Sequence, residues 1–159
     1  MTTYILDTGI VLGYVRGAGY AEYVEKKFAV SVPPNMALIS VVTMGEIYSL
    51  SLQLGWREGK RKRLGELLRK IPYVDISAPQ ILEKYAEIDA YSQGKYPLLK
   101  LPQGMTSRNM GKNDIWIAAT GSVLNGTLLT IDHDFDHLSS VFLKVEYVDQ
   151  SLQGSNASA

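Results

Sequence analysis

The chain has 159 residues, of which 46% are hydrophobic and 20% charged, and its 16 basic and 16 acidic side chains balance to zero net charge. These values suit one globular domain with a sizeable core. No run in the sequence approaches the roughly 20 consecutive apolar residues of a membrane span, and the zero net charge gives no support to a nucleic-acid partner. We expect one domain over residues 1–150 and a disordered tail over 151–159, which is small and polar.

The sequence contains no cysteine and only two histidines. Disulfides, thiolate metal sites and a three-histidine zinc site are therefore excluded. No basic segment precedes the first apolar run, so we do not interpret the N-terminus as a signal peptide. We expect a cytoplasmic protein, in which any metal is held mainly by oxygen and is therefore Mg²⁺ or Mn²⁺.

Short apolar runs alternate with helical patterns along the chain. The predicted strands are 3–6, 37–42, 73–76, 127–131 and 145–148, and the predicted helices include 9–15, 21–28, 43–54 and 56–70. This alternation predicts an α/β fold whose mostly parallel sheet is covered on both faces. Residues 94–110 have no periodicity and form the longest predicted loop, and long loops are often functional.

Two predicted helices begin with an acidic residue in the first turn. Thr43 and Glu46 form a capping-box pattern after the second strand. Asp114 opens a later apolar helix, for which Asn109 or Asn113 is the expected N-cap. Both acids are thereby predicted to lie near the edge of the sheet where the strands end.

Four acids are predicted at the carboxyl edge of the sheet: Asp7, Glu46, Asp114 and Asp132. Ligands of open parallel sheets bind beyond this edge, where the strand order switches. Each acid alone could be a helix cap or a solvated loop residue, but close carboxylates repel unless a cation intervenes. The cluster therefore predicts one or two divalent ions and hydrolytic phosphoryl transfer.

A basic segment covers residues 57–70, with seven Lys or Arg against two Glu. A solvated helix face is the favoured interpretation. The alternative is a phosphate-facing patch, in which Arg61 and Lys62 contact nucleic acid.

The four acids lie in recognisable local sequences. They are Tyr-Ile-Leu-Asp-Thr (Asp7), Ser-Val-Val-Thr-Met-Gly-Glu-Ile (Glu46), Asn-Asp-Ile-Trp-Ile-Ala-Ala (Asp114) and Leu-Leu-Thr-Ile-Asp-His-Asp-Phe (Asp132). As an ordered set, spanning residues 4–148, they resemble the motifs of PIN-domain ribonucleases, and most closely the VapC-type toxins of toxin–antitoxin pairs. One departure is Gly9, where the family usually has Asn.

The resemblance implies a three-layer α/β/α sandwich and Mg²⁺- or Mn²⁺-dependent endoribonuclease activity. It also implies a homodimer and inhibition by a small antitoxin whose C-terminal segment enters the active-site groove. Asp7 and Asp114 are the implied direct metal ligands, and Asp132 completes the site. Glu46 would bind the metal or orient the attacking water.

Other residues have supporting roles on this interpretation. Thr8 and Thr130 would hold the metal-binding carboxylates. Asp134 lies within reach of them but is interpreted mainly as a solvated loop residue, and Arg108 and Lys112 would contact substrate phosphate.

His133 and His137 are expected at the surface, because this metal chemistry needs no imidazole. A phosphatase of the haloacid-dehalogenase type is disfavoured, since its general acid would occupy the position of Gly9. Two alternatives remain open: a housekeeping RNA-processing nuclease, and a non-catalytic PIN-like scaffold or repressor subunit.

Overall fold

A five-stranded sheet lies at the centre of the molecule in the computed structural model, which describes residues 1–157. The strands are β1 (Thr3–Leu6), β2 (Met36–Ser40), β3 (Tyr73–Val74), β4 (Thr127–Thr130) and β5 (Lys144–Tyr147). Their spatial order is β3-β2-β1-β4-β5, and every neighbouring pair is parallel. The predicted α/β fold is confirmed. The strand order switches direction between β1 and β4, which places the expected ligand site at their carboxyl ends.

In the part of the chain that the structure describes, six α-helices cover the sheet: α1 (Thr8–Arg16), α2 (Gly19–Phe28), α3 (Val41–Gln53), α4 (Glu58–Lys70), α5 (Pro79–Ser92) and α6 (Lys112–Val123). Successive side chains of β1 enter different cores, Tyr4 and Leu6 with α1 and α2, and Ile5 with α5 and α6. Because neighbouring strand residues point to opposite faces, the molecule has three α/β/α layers. Within residues 1–157, no helix has the length and apolarity needed to cross a membrane.

The start of α3 differs from the prediction. Ser40 is the N-cap, and its Oγ accepts a hydrogen bond from the Val42 amide at 3.2 Å. Thr43 is therefore buried inside the helix, and Glu46 lies in the second turn. The predicted capping box was wrong because a competing cap residue stands three positions earlier. At α6 the N-cap is Gly111, with no side-chain cap, so the Asn caps were also wrong, although Asp114 does lie in the first turn.

The last described residues pack against the domain, whereas the sequence predicts a disordered tail there. Residues Gly154–Ala157 form a 3₁₀ turn, and Leu152 and Ala157 pack against the core cluster that contains α1 and α2. The backbone at Gly154 lies so close to α2 that a Cβ there would be 2.9 Å from a Glu22 carboxylate oxygen. The small side chains that suggested disorder are what permit this close approach. Residues 158–159 of the predicted tail lie outside the described residues.

Candidate metal centre

The site begins with Asp7, which follows β1 directly and caps α1. Its side chain is buried, and each oxygen accepts one hydrogen bond at 2.7 Å, Oδ1 from the Thr8 amide and Oδ2 from the Thr130 hydroxyl. The Thr130 Oγ1 also accepts from the Asp132 amide at 3.0 Å. Thr130, at the end of β4, thus fixes the positions of two acids across the switch point.

Glu46 reaches the same edge from α3. The Thr8 hydroxyl donates to Glu46 Oε1 at 2.9 Å, while the amide of the same residue bonds to Asp7. Thr8 therefore connects Asp7 and Glu46, which are 39 positions apart in the sequence. The expected proximity of the first and second motifs is a consequence of β1 and β2 being neighbours.

Three other carboxylates lie close enough to share one cation. Asp114, Asp132 and Asp134 each offer an oxygen, and these oxygens all lie within 4.8 Å of one another. The Asp134 amide donates to Asp132 Oδ1 at 2.9 Å, which starts the 3₁₀ turn His133–Leu138. Asp134, interpreted from the sequence mainly as a solvated loop residue, lies here beside Asp114 and Asp132. The signal was present in the Asp-X-Asp spacing directly after a buried strand.

The electrostatics of the group favour a bound cation. Burial raises the pKa of the Asp7 carboxyl, and Glu46 and Asp132 add repulsion, although the hydrogen bonds from Thr130 and Thr8 oppose the shift. Burial, followed by repulsion from neighbouring acids, raises the pKa of Asp114 to about 7. The charged groups that shift Asp114 are all acidic. A hard divalent ion suits these oxygen donors and would offset the repulsion that contributes to the raised pKa of Asp114.

His137 is buried, which corrects the expectation of a surface position. Its Nε2 lies 2.7 Å from the Ser92 hydroxyl, which also lies 3.3 Å from the Met110 sulfur. Burial, with repulsion from Arg108, lowers the pKa of His137 to about 4, so the ring is neutral near pH 7. The turn that carries Asp134 is thereby attached to the end of α5, and nothing in the local sequence of His137 indicated this contact.

The predicted substrate-binding residues fall into two groups. Arg108 lines a cavity of about 340 Å³ together with Asp134, and Lys112 is exposed two positions before Asp114. Arg61 and Lys62 are exposed on α4. The C-terminal residues of that helix line a different cavity, with residues at the start of β2, so this end of α4 lies toward the opposite edge of the sheet.

Gly9 has a steric explanation. A Cβ at this position would lie 2.5 Å from the Ile131 side chain, which follows β4. The space that an Asn side chain would need is therefore filled by Ile131. The Tyr20 hydroxyl also donates to the Gly9 carbonyl at 2.9 Å.

The class of domain is defined by a parallel sheet between two helical layers, with acids from four elements at the switch point of the sheet. Residues 4–141 match the family model described as PIN domain. The chain therefore belongs to the PIN domain family.

Solved structures of similar fold include VapBC and FitAB-type proteins. VapBC2 from Rickettsia felis, bound to a promoter DNA fragment, is 21% identical over 93% of this chain and 100% of that chain, with a TM-score of 0.72. VapBC-1 from nontypeable Haemophilus influenzae is 20% identical over 94% and 99%, with a TM-score of 0.65. FitAcB from Neisseria gonorrhoeae is 20% identical over 89% and 95%, with a TM-score of 0.64. No curated protein matches the sequence significantly.

Proposed function

We propose that this chain is a Mg²⁺- or Mn²⁺-dependent endoribonuclease and the toxin of a toxin–antitoxin pair. The observation that carries the proposal is the group of Asp114, Asp132 and Asp134, whose oxygens lie within 4.8 Å of one another. The raised pKa of Asp114 supports the proposal, because a cation bound beside these acids would offset the repulsion between them. Membership of the PIN domain family, whose members are typically nucleases, supports the reaction class.

Each acid has a proposed role. Asp114, Asp132 and Asp134 would hold one or two ions, with Asp7 as a further ligand whose orientation Thr130 fixes. When bound, the ion supplies an activated water and offsets charge on the phosphate.

Glu46 is the proposed base. Thr8 fixes one of its oxygens at 2.9 Å. The other oxygen remains available to orient the attacking water and accept its proton.

The partners are proposed from the surface around this site. A groove of about 520 Å³ between α3 and α6 is lined by Glu46, Ser49 and Asn113, among others. An antitoxin segment lying in this groove would block access to Glu46. A neighbouring structure from Mycobacterium tuberculosis is a member of the VapBC family of toxin–antitoxin systems, which supports such a partner.

A homodimer is also part of the proposal. Tyr48 and Leu52 are 50% and 70% exposed on α3, and a second copy of the chain would cover them. We propose a cytoplasmic site of action, where the RNA substrate is found.

Arg108 and Lys112 are proposed to contact substrate phosphate close to the acids, and Arg61 with Lys62 to do so from α4. A housekeeping RNA-processing role would keep the same chemistry without the antitoxin. A scaffold or repressor subunit would need no metal, so the acid cluster favours the enzyme.

The test is cleavage of a mixed cellular RNA pool by purified protein from which any co-purified partner has been stripped. Cleavage is expected with Mg²⁺ or Mn²⁺, and it should be lost with EDTA and in Asp114→Asn. Asp136→Asn is the matched control, because Asp136 is exposed in the same 3₁₀ turn and pairs with His133. No cleavage by folded, metal-loaded wild type, or equal loss in both variants, would contradict the proposal.

A further inference from the structure

The loop between α5 and α6 carries a one-sided charge. Between Asp89 and Asp114 the sequence has four basic residues and no acidic one. The four are Lys95, Lys100, Arg108 and Lys112, and all are exposed. None takes part in the salt bridges found within residues 1–157. We call this loop, together with Lys112 at the start of α6, the cationic loop (residues 93–112).

The cationic loop is held in a defined shape at both ends. The Lys95 amide donates to the Ala90 carbonyl at 2.8 Å, and the Arg108 amide donates to the Ser92 carbonyl at 2.7 Å. Met110 is buried beside the Ser92 hydroxyl. Both ends are therefore attached to the last turn of α5, and the basic side chains start from fixed backbone positions.

Two concave surfaces connect the cationic loop to the acids. One cavity, of about 340 Å³, is lined by Arg108, Asn109 and Ser107 together with Asp134 of the acid group. A second, of about 490 Å³, is lined by Ser107, Tyr96, Lys95 and Lys100. Because Ser107 lines both, the two cavities are neighbours, and we call them together the path. The path has Asp134 at one end and the two lysines at the other.

We propose that this path binds the backbone of single-stranded RNA on one side of the scissile bond. Arg108 would contact the phosphate next to the acids, and Lys95 and Lys100 would contact phosphates farther along. The half-buried ring of Tyr96 offers a face on which one base can stack. The inference rests on the proposed nuclease function and names where its substrate lies.

The charge and the side-chain chemistry of the path favour single-stranded RNA as the bound molecule. The acid group repels phosphates, and a bound ion compensates only at the reacting one, so the adjoining strand needs separate cations. The path supplies cations, hydroxyl and amide groups and one aromatic ring, which together suit a nucleotide chain. An acidic segment of a protein partner would use the lysines without needing Tyr96.

The experiment compares two doubly substituted proteins that lose the same charge. Lys95→Ala/Lys100→Ala alters the path, and Arg69→Ala/Lys70→Ala alters exposed residues at the end of α4, away from the acids. Binding of a fluorescein-labelled single-stranded oligoribonucleotide is measured in EDTA over a salt series, and cleavage of the same RNA is measured with Mn²⁺. Arg61→Ala/Lys62→Ala forms a third arm, and thermal unfolding confirms that each variant is folded.

The path variant should bind RNA about tenfold more weakly and show a flatter salt dependence, because two phosphate contacts are lost. Its KM should rise in the cleavage assay while kcat is retained, and the Arg69/Lys70 variant should resemble wild type. Equal weakening in both variants, or wild-type binding by the path variant, would overturn the inference even if the protein cleaves RNA. If the path variant binds RNA as wild type does but its RNA cleavage is inhibited less by an acidic peptide, the path would be assigned to a protein partner instead. Wild type that neither binds nor cleaves RNA would overturn the proposed function, and the inference with it.

Discussion

Glu25 and Asp114 are partly buried carboxylates at opposite edges of the sheet, and their surroundings differ. Glu25 Oε1 accepts from the Tyr14 hydroxyl at 2.7 Å and from the Ser31 hydroxyl at 2.5 Å. The Ser31 amide lies 3.4 Å from its other oxygen. Asp114 is surrounded instead by other acids, and burial, followed by their repulsion, raises its pKa to about 7. A carboxylate that accepts hydrogen bonds is satisfied within the folded chain, whereas a carboxylate that faces other carboxylates is stabilised by a bound cation.

The difference separates a structural acid from a functional one. Glu25 links α2 to α1 through Tyr14 and to the segment before β2 through Ser31. Burial and the Glu25 carboxylate raise the pKa of Tyr14, so its hydroxyl remains a donor. At the other edge, the acids around Asp114 repel one another, and this repulsion lowers the stability of the folded chain unless a cation is bound. Such cost is expected where function requires it.

The largest expected effect is on catalysis. Asp114→Asn should lower RNA cleavage by at least about 100-fold, because a metal ligand is lost. Glu25→Gln should leave cleavage within about twofold but lower the free energy of unfolding by roughly 1 kcal/mol, since charge-assisted hydrogen bonds become neutral. Cleavage rates with Mn²⁺ and urea unfolding curves measure both effects.

The same pair of variants provides its own control. Metal-free Asp114→Asn should be at least as stable as wild type near pH 8, because a repelled charge is removed. If Asp114→Asn is strongly destabilised, its loss of cleavage would reflect misfolding, and the contrast between the two edges would fail.

The second effect is the pH dependence of the metal-free protein. Between about pH 4 and about pH 7, Asp114 binds a proton in the folded protein but not in the unfolded chain. Raising the pH through this window should therefore lower the free energy of unfolding, by an amount on the order of 2 kcal/mol. Millimolar Mg²⁺ or Mn²⁺ should restore stability above pH 7 by binding the folded state.

Asp114→Asn isolates this contribution. His137, whose pKa is lowered to about 4, acts in the opposite direction, because the unfolded chain binds its proton more readily as the pH falls toward that value. The contribution of His137 cancels in the difference between the free energies of unfolding of wild type and Asp114→Asn. A difference that is constant from pH 5 to pH 8 would show that Asp114 titrates normally.

The sequence predicted the positions of Asp7 and Asp132 because each of them follows a buried strand. A buried strand ends at Leu6 before Asp7, and another ends at Thr130 just before Asp132, so the sheet alone brings these acids together. Contacts made across the fold were not predictable in this way. Thr8 with Glu46, and His137 with Ser92, join residues far apart in sequence, and polar residues of this kind carry no periodic pattern.

Helix starts and loop shape were the other limits. Ser40 and Thr43 are both good cap residues, and only the end of β2 decides between them. The cationic loop has no periodicity, so its two cavities depend on contacts with α5 that the sequence does not indicate.

The smallest expected effect concerns the shape of the acid edge rather than its charge. Gly9→Ala would place a Cβ 2.5 Å from Ile131, and it should destabilise the protein by roughly 1–2 kcal/mol through overpacking. Gly45→Ala is the matched control. A Cβ at Gly45, also in a helix, meets nothing within 4 Å, so this change should stabilise by up to about 1 kcal/mol. Combining Gly9→Ala with Ile131→Ala should recover part of the loss, with a favourable coupling of about 1 kcal/mol in a double-mutant cycle. Additive effects in that cycle would mean that Ile131 does not fill the space beside Gly9, and the usual Asn of the family would then fit beside Asp7 without a compensating change.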